Sequence, residues 1–220
     1  MNSEIDYTPF VRNSYYKKSI TDLQSDIKNN DKFAAYELAS RLKQQNKEDE
    51  AFKYYKLAAD LGDKDALLEV AKLADKKNRI KEAFTYFEMA VEKTNCAEAH
   101  FKLGSYYYEK KIGNLFNRKR NMFKHFLAAA EQGYPRAQYI LALLYGDKGG
   151  AESVHKYTFW LRCAQLNGEP AAISFLNKVM NESESLHQAW SNSFKQIDKE
   201  IEKHPKYIEE YLRNRARMMK

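Results

Sequence analysis

The stretch that decides the fold is KYYKLAADLGDKDA, Lys53 to Ala66, which returns later in the chain as KHFLAAAEQGYPRA, Lys124 to Ala137. Both copies keep a Lys, an Ala-Ala pair, a Gly and the closing Ala at matching places. Tyr55 in the first copy is matched by Phe126 in the second. A phrase that recurs at a regular period is the signature of stacked structural repeats.

The closing Ala marks five repeats, and the anchors lie 32 to 38 residues apart. An aliphatic residue and usually a small one follow each anchor, four and five residues later, so they share one stripe of an α-helix. We call this predicted helix "helix A" of each repeat. The anchors are Ala34, Ala66, Ala99, Ala137 and Ala172.

A second apolar stripe follows in each repeat and predicts a partner, helix B. In the first repeat it alternates aromatic and small residues such as Tyr55 and Ala58. A residue that accepts positive φ is expected directly after helix B. The candidates are Gly62, Gly133, Gly168 and, in the second repeat, Asn95. Such a helix pair cannot bury both stripes alone, so the repeats are predicted to stack.

Three stretches resemble the Sel-one-like repeat family, a close relative of tetratricopeptide repeats. They are EAFKYYKLAADLGDKDA (50–66), AEAHFKLGSYYYEKK (97–111) and KHFLAAAEQGYPRAQYILALLYGDKGG (124–150). The resemblance implies an all-α fold, a right-handed α-solenoid of about five helix-turn-helix repeats with capping helices at both ends. Some secreted relatives carry a Cys pair in every repeat, and the absence of such pairs here argues for an intracellular variant.

The repeats divide the chain into three predicted parts: an N-terminal segment with a capping helix (1–30), the solenoid (31–180) and C-terminal capping helices (181–220). One helix is predicted over residues 19–30. A long helix is expected after an N-cap at Ser183 or Ser185, and a final helix is expected to start at Pro205.

Composition excludes several classes of protein. Two cysteines are too few for a disulfide framework, and the chain contains no apolar run of membrane-spanning length. The first thirty residues lack the pattern of a signal peptide, so we expect a cytoplasmic protein without membrane attachment. The five His are scattered, and no phosphate-binding or nucleophile motif is present. We therefore predict no enzymatic activity, no metal site and no cofactor, and we interpret Cys163 and His125 as packing residues.

The predicted partner-binding site is the concave face of the solenoid. In tetratricopeptide repeats, which this family resembles, ligands lie against helix A at positions two, six and nine residues after the anchor. The alternative, that the aromatic residues at offset two pack against the neighbouring repeat, stays open. The positions carried over are Tyr36, Ser40, Lys43, Leu68, Lys72, Phe101, Ser105, Tyr108, Tyr139 and Leu143.

The net charge of +7 favours an acidic partner. Basic residues cluster in residues 110–124 and at the C-terminus, where they serve solubility, an acidic protein surface or phosphate. The resemblance implies a non-enzymatic adaptor or scaffold, and one specific form is an immunity protein that neutralises a bacterial toxin. The alternative is RNA or DNA binding through the basic residues; the oligomeric state is open. The basic patch comprises Lys110, Lys111, Arg118, Lys119, Arg120, Arg213 and Arg217.

Overall fold

A computed structural model of the protein describes residues 8–109, 112–209 and 212. Within these residues the chain forms twelve α-helices and a short 3-10 helix, with no strand. The predicted fold class, an all-α structure of helix pairs, is confirmed. The chain divides into two compact units, Met1–Asn95 and Cys96–Lys220.

The first unit contains two end helices and two repeats. Its helices are α1 (Thr8–Tyr15), α2 (Ile20–Lys28), α3 (Lys32–Gln44), α4 (Glu48–Asp60), α5 (Lys64–Lys76) and α6 (Ile80–Thr94). The pairs α3–α4 and α5–α6 are helices A and B of the first two predicted repeats. Their core is built from small residues alternating with large ones such as Tyr55 and Phe87, which have 2% and 0% of their surface exposed.

The second unit contains three further helix pairs and a C-terminal turn. Its helices are α7 (Ala97–Tyr108), α8 (Leu115–Glu131), α9 (Pro135–Gly146), α10 (Ala151–Leu166), α11 (Pro170–Glu182) and α12 (Glu184–Ile201), followed by the 3-10 helix Pro205–Ile208. The pairs α7–α8 and α9–α10 are helices A and B of the third and fourth predicted repeats, and α11 carries the fifth anchor, Ala172. Phe126, Leu141 and Leu161 are fully buried in this core.

The anchor alanines are buried, as the repeat pattern predicts. All five anchor alanines have no exposed surface. Gly104, five residues after the anchor of α7, shows how closely the two helices of a pair approach. A Cβ atom at Gly104 would lie 2.7 Å from a carbon of the Phe126 side chain on α8. Small residues are therefore required on helix A because a bulky residue of helix B fills the space opposite.

The turns also follow the prediction. The three glycines expected after helix B and Asn95 all have positive φ. At Gly133 a side chain would also meet the Lys206 carbonyl oxygen at 3.2 Å. Three further turns place Asn at positive φ, and these residues were not predicted from the sequence: Asn30, Asn46 and Asn78. The turn between α9 and α10 ends in Gly149 and Gly150, where an added Cβ would meet no atom within 4 Å.

The ends of the chain match the prediction in part. Ser19 starts α2 with a capping box, and Ser183 is the N-cap of α12. The final segment begins at Pro205 as a 3-10 helix rather than an α-helix, and this tight turn brings the Tyr207 carbonyl oxygen to two side-chain donors of the repeats. The division into 1–30, 31–180 and 181–220 stays a prediction.

Candidate partner-binding surfaces

The ten predicted partner-binding positions fall on helix A of four repeats, five in each unit, and all ten are at least partly exposed. Tyr108 and Leu143 are the most open, with 58% and 44% of their surfaces exposed. We refer to the positions as two faces. The first-unit face comprises Tyr36, Ser40, Lys43, Leu68 and Lys72; the second-unit face comprises Phe101, Ser105, Tyr108, Tyr139 and Leu143.

Glu69 organises the charges of the first-unit face. The Lys43 and Lys72 ammonium groups both donate to its carboxylate, the latter at 3.2 Å. Burial raises the pKa of Glu69, but the hydrogen bond from Lys43 and the charge of Lys72 outweigh it, so the pKa lies below its ordinary value. The face thus presents a lysine–carboxylate–lysine network. The sequence reasoning found both lysines and missed the carboxylate that joins them.

Tyr36 is packed as well as partly exposed. The Arg12 guanidinium carbon lies 3.8 Å above the centre of its ring, and the Tyr55 ring meets it edge-on at 5.2 Å. Burial raises the pKa of the Tyr36 hydroxyl, and the nearby charge of Arg12 works against this. Arg12 belongs to α1 and Tyr55 to helix B of the same repeat, so these contacts do not decide between packing against the neighbouring repeat and a partner role, and both stay predictions.

Helix α1 is tied to the starts of two repeats. The Arg12 guanidinium contacts both carboxylate oxygens of Asp63, the N-cap of α5, at 2.7 Å. The Tyr15 hydroxyl donates to Asp31, the N-cap of α3, at 2.5 Å. This hydrogen bond raises the pKa of Tyr15 to about 12. One signal in the sequence points to this arrangement, an Asp directly before helix A in both repeats, and it was not among the predicted features.

The second-unit face mixes packed and open side chains. The Phe101 ring stacks on Tyr134 at 4.8 Å, and the Arg136 guanidinium carbon lies 5.7 Å from the centre of the Tyr139 ring. Tyr108 meets a core ring only edge-on, at 6.5 Å. Tyr108 and Leu143 therefore offer the apolar surface of this face, whereas Phe101 is held against the core.

The central part of the predicted basic patch borders a cavity. Arg118, Lys119 and Arg120 lie on α8, whereas Lys110, Lys111, Arg213 and Arg217 lie outside the described residues. The cavity has a volume of about 590 Å³, and we call it the basic cavity. Its lining residues are Tyr107, Tyr108, Arg118, Lys119, Arg120, Met122, Phe123, Leu144 and Lys148.

Two histidines that are distant in sequence meet between α7 and α8. His100 Nδ1 and His125 Nδ1 lie 3.0 Å apart, and the Tyr107 ring stacks on His125. Burial, followed by the charges of His100 and Lys124, lowers the pKa of His125 to about 4. Burial also lowers the pKa of His100. The described residues contain no group of three or more His, Cys, Asp or Glu side chains that could hold a metal ion.

Cys163 is fully buried in α10, and burial raises the pKa of its thiol, which agrees with its interpretation as a packing residue. In the described part of the chain, no helix is both long and apolar enough to span a bilayer.

Comparison with known proteins shows a likeness to a solved structure. No family model matches the sequence, and no curated protein matches it. Among solved structures, the crystal structure of a protective antigen present in uropathogenic Escherichia coli strains, which displays an SLR (Sel-one-like repeat) fold, is similar to this chain with a TM-score of 0.64. The two are 20% identical, and the match covers 88% of this chain and 43% of the antigen. This chain therefore spans less than half of the antigen's length.

Proposed function

Because the chain has the Sel-one-like repeat fold, we propose that it is a non-enzymatic interaction module that binds a partner protein or peptide against helix A of its repeats. One observation carries the proposal. Helix A buries its anchor alanines completely, yet the ten predicted partner-binding side chains are all at least partly exposed. The repeats thus present a set of side chains that are at least partly open to a partner, with Tyr108 and Leu143 the most open.

The two faces offer complementary kinds of contact. Tyr108 and Leu143 supply apolar area of the kind from which interface hot spots are built. The network of Lys43, Glu69 and Lys72 supplies fixed charges, which favour one partner over another. Together these features suit recognition of a protein surface by shape and charge.

The charge balance supports an acidic partner. The chain carries a net charge of +7, and an acidic domain of a toxin is one partner of this kind, as expected for an immunity protein. Nucleic acid is the alternative, whose phosphates would contact the cations at the basic cavity. It predicts an affinity that falls steeply with salt.

The proposal is tested by capture of partners from native lysate. The double variant Leu68→Asp and Leu143→Asp places one charge on each face, outside the basic cavity. The control, Met89→Asp and Val154→Asp, adds the same charge at exposed apolar positions, also one in each unit. We expect the face variant to lose captured proteins about tenfold and the control to keep them.

Equal capture by the wild type, the face variant and the control would contradict the proposal. Thermal melting followed by circular dichroism checks that both double variants fold.

A further inference from the structure

We propose that the basic cavity is a docking site for an acidic peptide segment of the partner, with one apolar side chain of that segment inside the cavity and carboxylates around its rim. This inference deepens the proposed function and rests on it, but it concerns a different place in the second unit. Of the ten face positions, the cavity shares only Tyr108.

The cavity lies where three helices come together. Tyr107 and Tyr108 come from the end of α7, Met122 and Phe123 from α8, and Leu144 from the end of α9. Its volume of about 590 Å³ lies in the range of small-ligand sites, and it is open to solvent on one side. The apolar side chains suit an aliphatic or aromatic group, and the flexible Met122 can adapt to its shape.

The charges around this apolar site are all positive. Arg118, Lys119, Arg120 and Lys148 line it together with no acidic side chain. Among the residues the structure describes, Arg118, Lys119 and Arg120 form no ion pair. Lys148 lies over the Phe123 and Tyr145 rings, at 4.9 and 5.1 Å from their centres. Four clustered positive charges repel one another, and an anionic ligand would reduce this repulsion.

The position of these cations near the N-terminus of α8 also favours an anionic ligand. Helix α8 begins at Leu115 with Asn114 as its N-cap, and its first turn contains no acidic residue. The three consecutive cations follow in the first two turns, at the end of the helix where the dipole already favours negative charge. A carboxylate from a partner would satisfy both the side chains and the helix end.

The cations and two of the three aromatic rings that line the cavity favour a peptide over nucleic acid, while the third ring, Tyr108, is open. One face of Tyr107 is stacked on His125, and one face of Phe123 is covered by Lys148. Binding of single-stranded nucleic acid uses free ring faces for bases and a track of cations along several nucleotides. Here the described cations surround one cavity, which fits an apolar side chain flanked by carboxylates.

The probe is a fluorescein-labelled peptide, Glu-Glu-Asp-Phe-Glu-Glu, whose binding to the full chain is followed by fluorescence polarisation. One comparison peptide replaces the acids by amides and another replaces Phe by Gly. The cavity variant carries Arg118→Ser, Lys119→Ser and Arg120→Ser. The control, Lys178→Ser, Lys195→Ser and Lys199→Ser, removes the same charge from exposed helical positions of the same unit.

We expect the cavity variant to bind the acidic peptide about tenfold more weakly, the control to bind it as the wild type does, and both comparison peptides to bind at least about fivefold more weakly. Absence of saturable binding to the wild type up to about 1 mM overturns the proposal. An equal loss in the control also overturns it, since net charge alone would then explain the affinity.

Tighter binding of a uridine dodecamer than of the peptide, lost in the cavity variant, overturns the proposal in favour of nucleic acid. The peptide test is independent of lysate capture. If the wild type does not bind the peptide but the face variant still loses captured proteins, the cavity alone is rejected. If the wild type binds the peptide but the face variant captures proteins as the wild type does, the two faces are rejected.

Discussion

Gly104 shows at the scale of one residue why the repeat needs small side chains. In an exposed helix, Gly→Ala stabilises by about 1 kcal/mol. At Gly104 the new Cβ would lie 2.7 Å from the Phe126 side chain, and Phe126 is fully buried and cannot move aside freely. We expect Gly104→Ala to lower the free energy of unfolding by about 1–3 kcal/mol, measured by urea denaturation.

The matched control is a double-mutant cycle with Phe126→Leu, which removes the ring that the new methyl group meets. The cost of Gly104→Ala should shrink or change sign in that background. A Gly104→Ala protein as stable as the wild type would show that the close approach of α7 and α8 is wrong.

The His100–His125 pair predicts a pH dependence of stability. Both pKa values lie below the ordinary value, that of His125 at about 4, so the folded protein keeps these rings neutral. As pH falls below about 6.5, the unfolded chain takes up protons that the folded chain refuses, and stability falls. We expect a loss of about 1–2 kcal/mol between about pH 7.5 and 5.5, measured by denaturant unfolding.

His125→Tyr should flatten this dependence, because Tyr54 occupies the equivalent stripe position in the first repeat. The control, His187→Gln on the exposed surface of α12, should leave it unchanged. An unaltered pH profile in His125→Tyr would contradict the assignment.

At the scale of elements, the 3-10 helix Pro205–Ile208 is held in place by two side chains that donate hydrogen bonds to one of its backbone carbonyl oxygens. The fully buried Gln138 donates to the Tyr207 carbonyl oxygen at 2.8 Å, and Asn167 donates to the same oxygen at 2.6 Å. Gln138→Leu removes one donor and leaves Asn167 without the Gln138 acceptor, at a cost of about 1–3 kcal/mol. We expect faster tryptic cleavage after Lys203 and Lys206 in the Gln138→Leu variant, measured by mass spectrometry.

The control is Gln188→Leu on α12, which should be cleaved as the wild type is. Equal cleavage rates in both variants would refute the role of Gln138.

The sequence predicted the elements better than the contacts between them. Helices A and B were predictable because Ala66 and its equivalents recur with a helical period, and Ser183 was predictable as a cap because capping is local. Contacts between residues far apart in the chain could not be predicted from a periodic pattern. Two examples are the ion pair of Arg12 with Asp63 and the hydrogen bond from Gln138 to the Tyr207 carbonyl oxygen. For the same reason the sequence placed Tyr36 on a binding face but could not show that Arg12 covers its ring.

At the scale of the whole molecule, the chain divides into two compact units. We therefore expect a destabilising substitution to loosen the helices of its own unit and not those of the other. Asp63→Ala removes both the N-cap of α5 and one of the two carboxylates that pair with Arg12 in the first unit. We expect faster hydrogen exchange in the described helices of that unit and unchanged exchange in α7 to α12, followed by mass spectrometry. Gly104→Ala is the reciprocal control, with its effect in the second unit. Increased exchange throughout the chain in both variants would contradict this prediction.

The turn at Gly149 and Gly150 has a practical consequence. Its glycines have open space around them, and the neighbouring Lys148 lines the basic cavity. A short cysteine-containing insertion there would accept a solvent-sensitive fluorophore without disturbing a helix. In a Cys96→Ala background the buried Cys163 would not compete for the dye, so changes in emission would report, in real time, whatever enters beside that lysine.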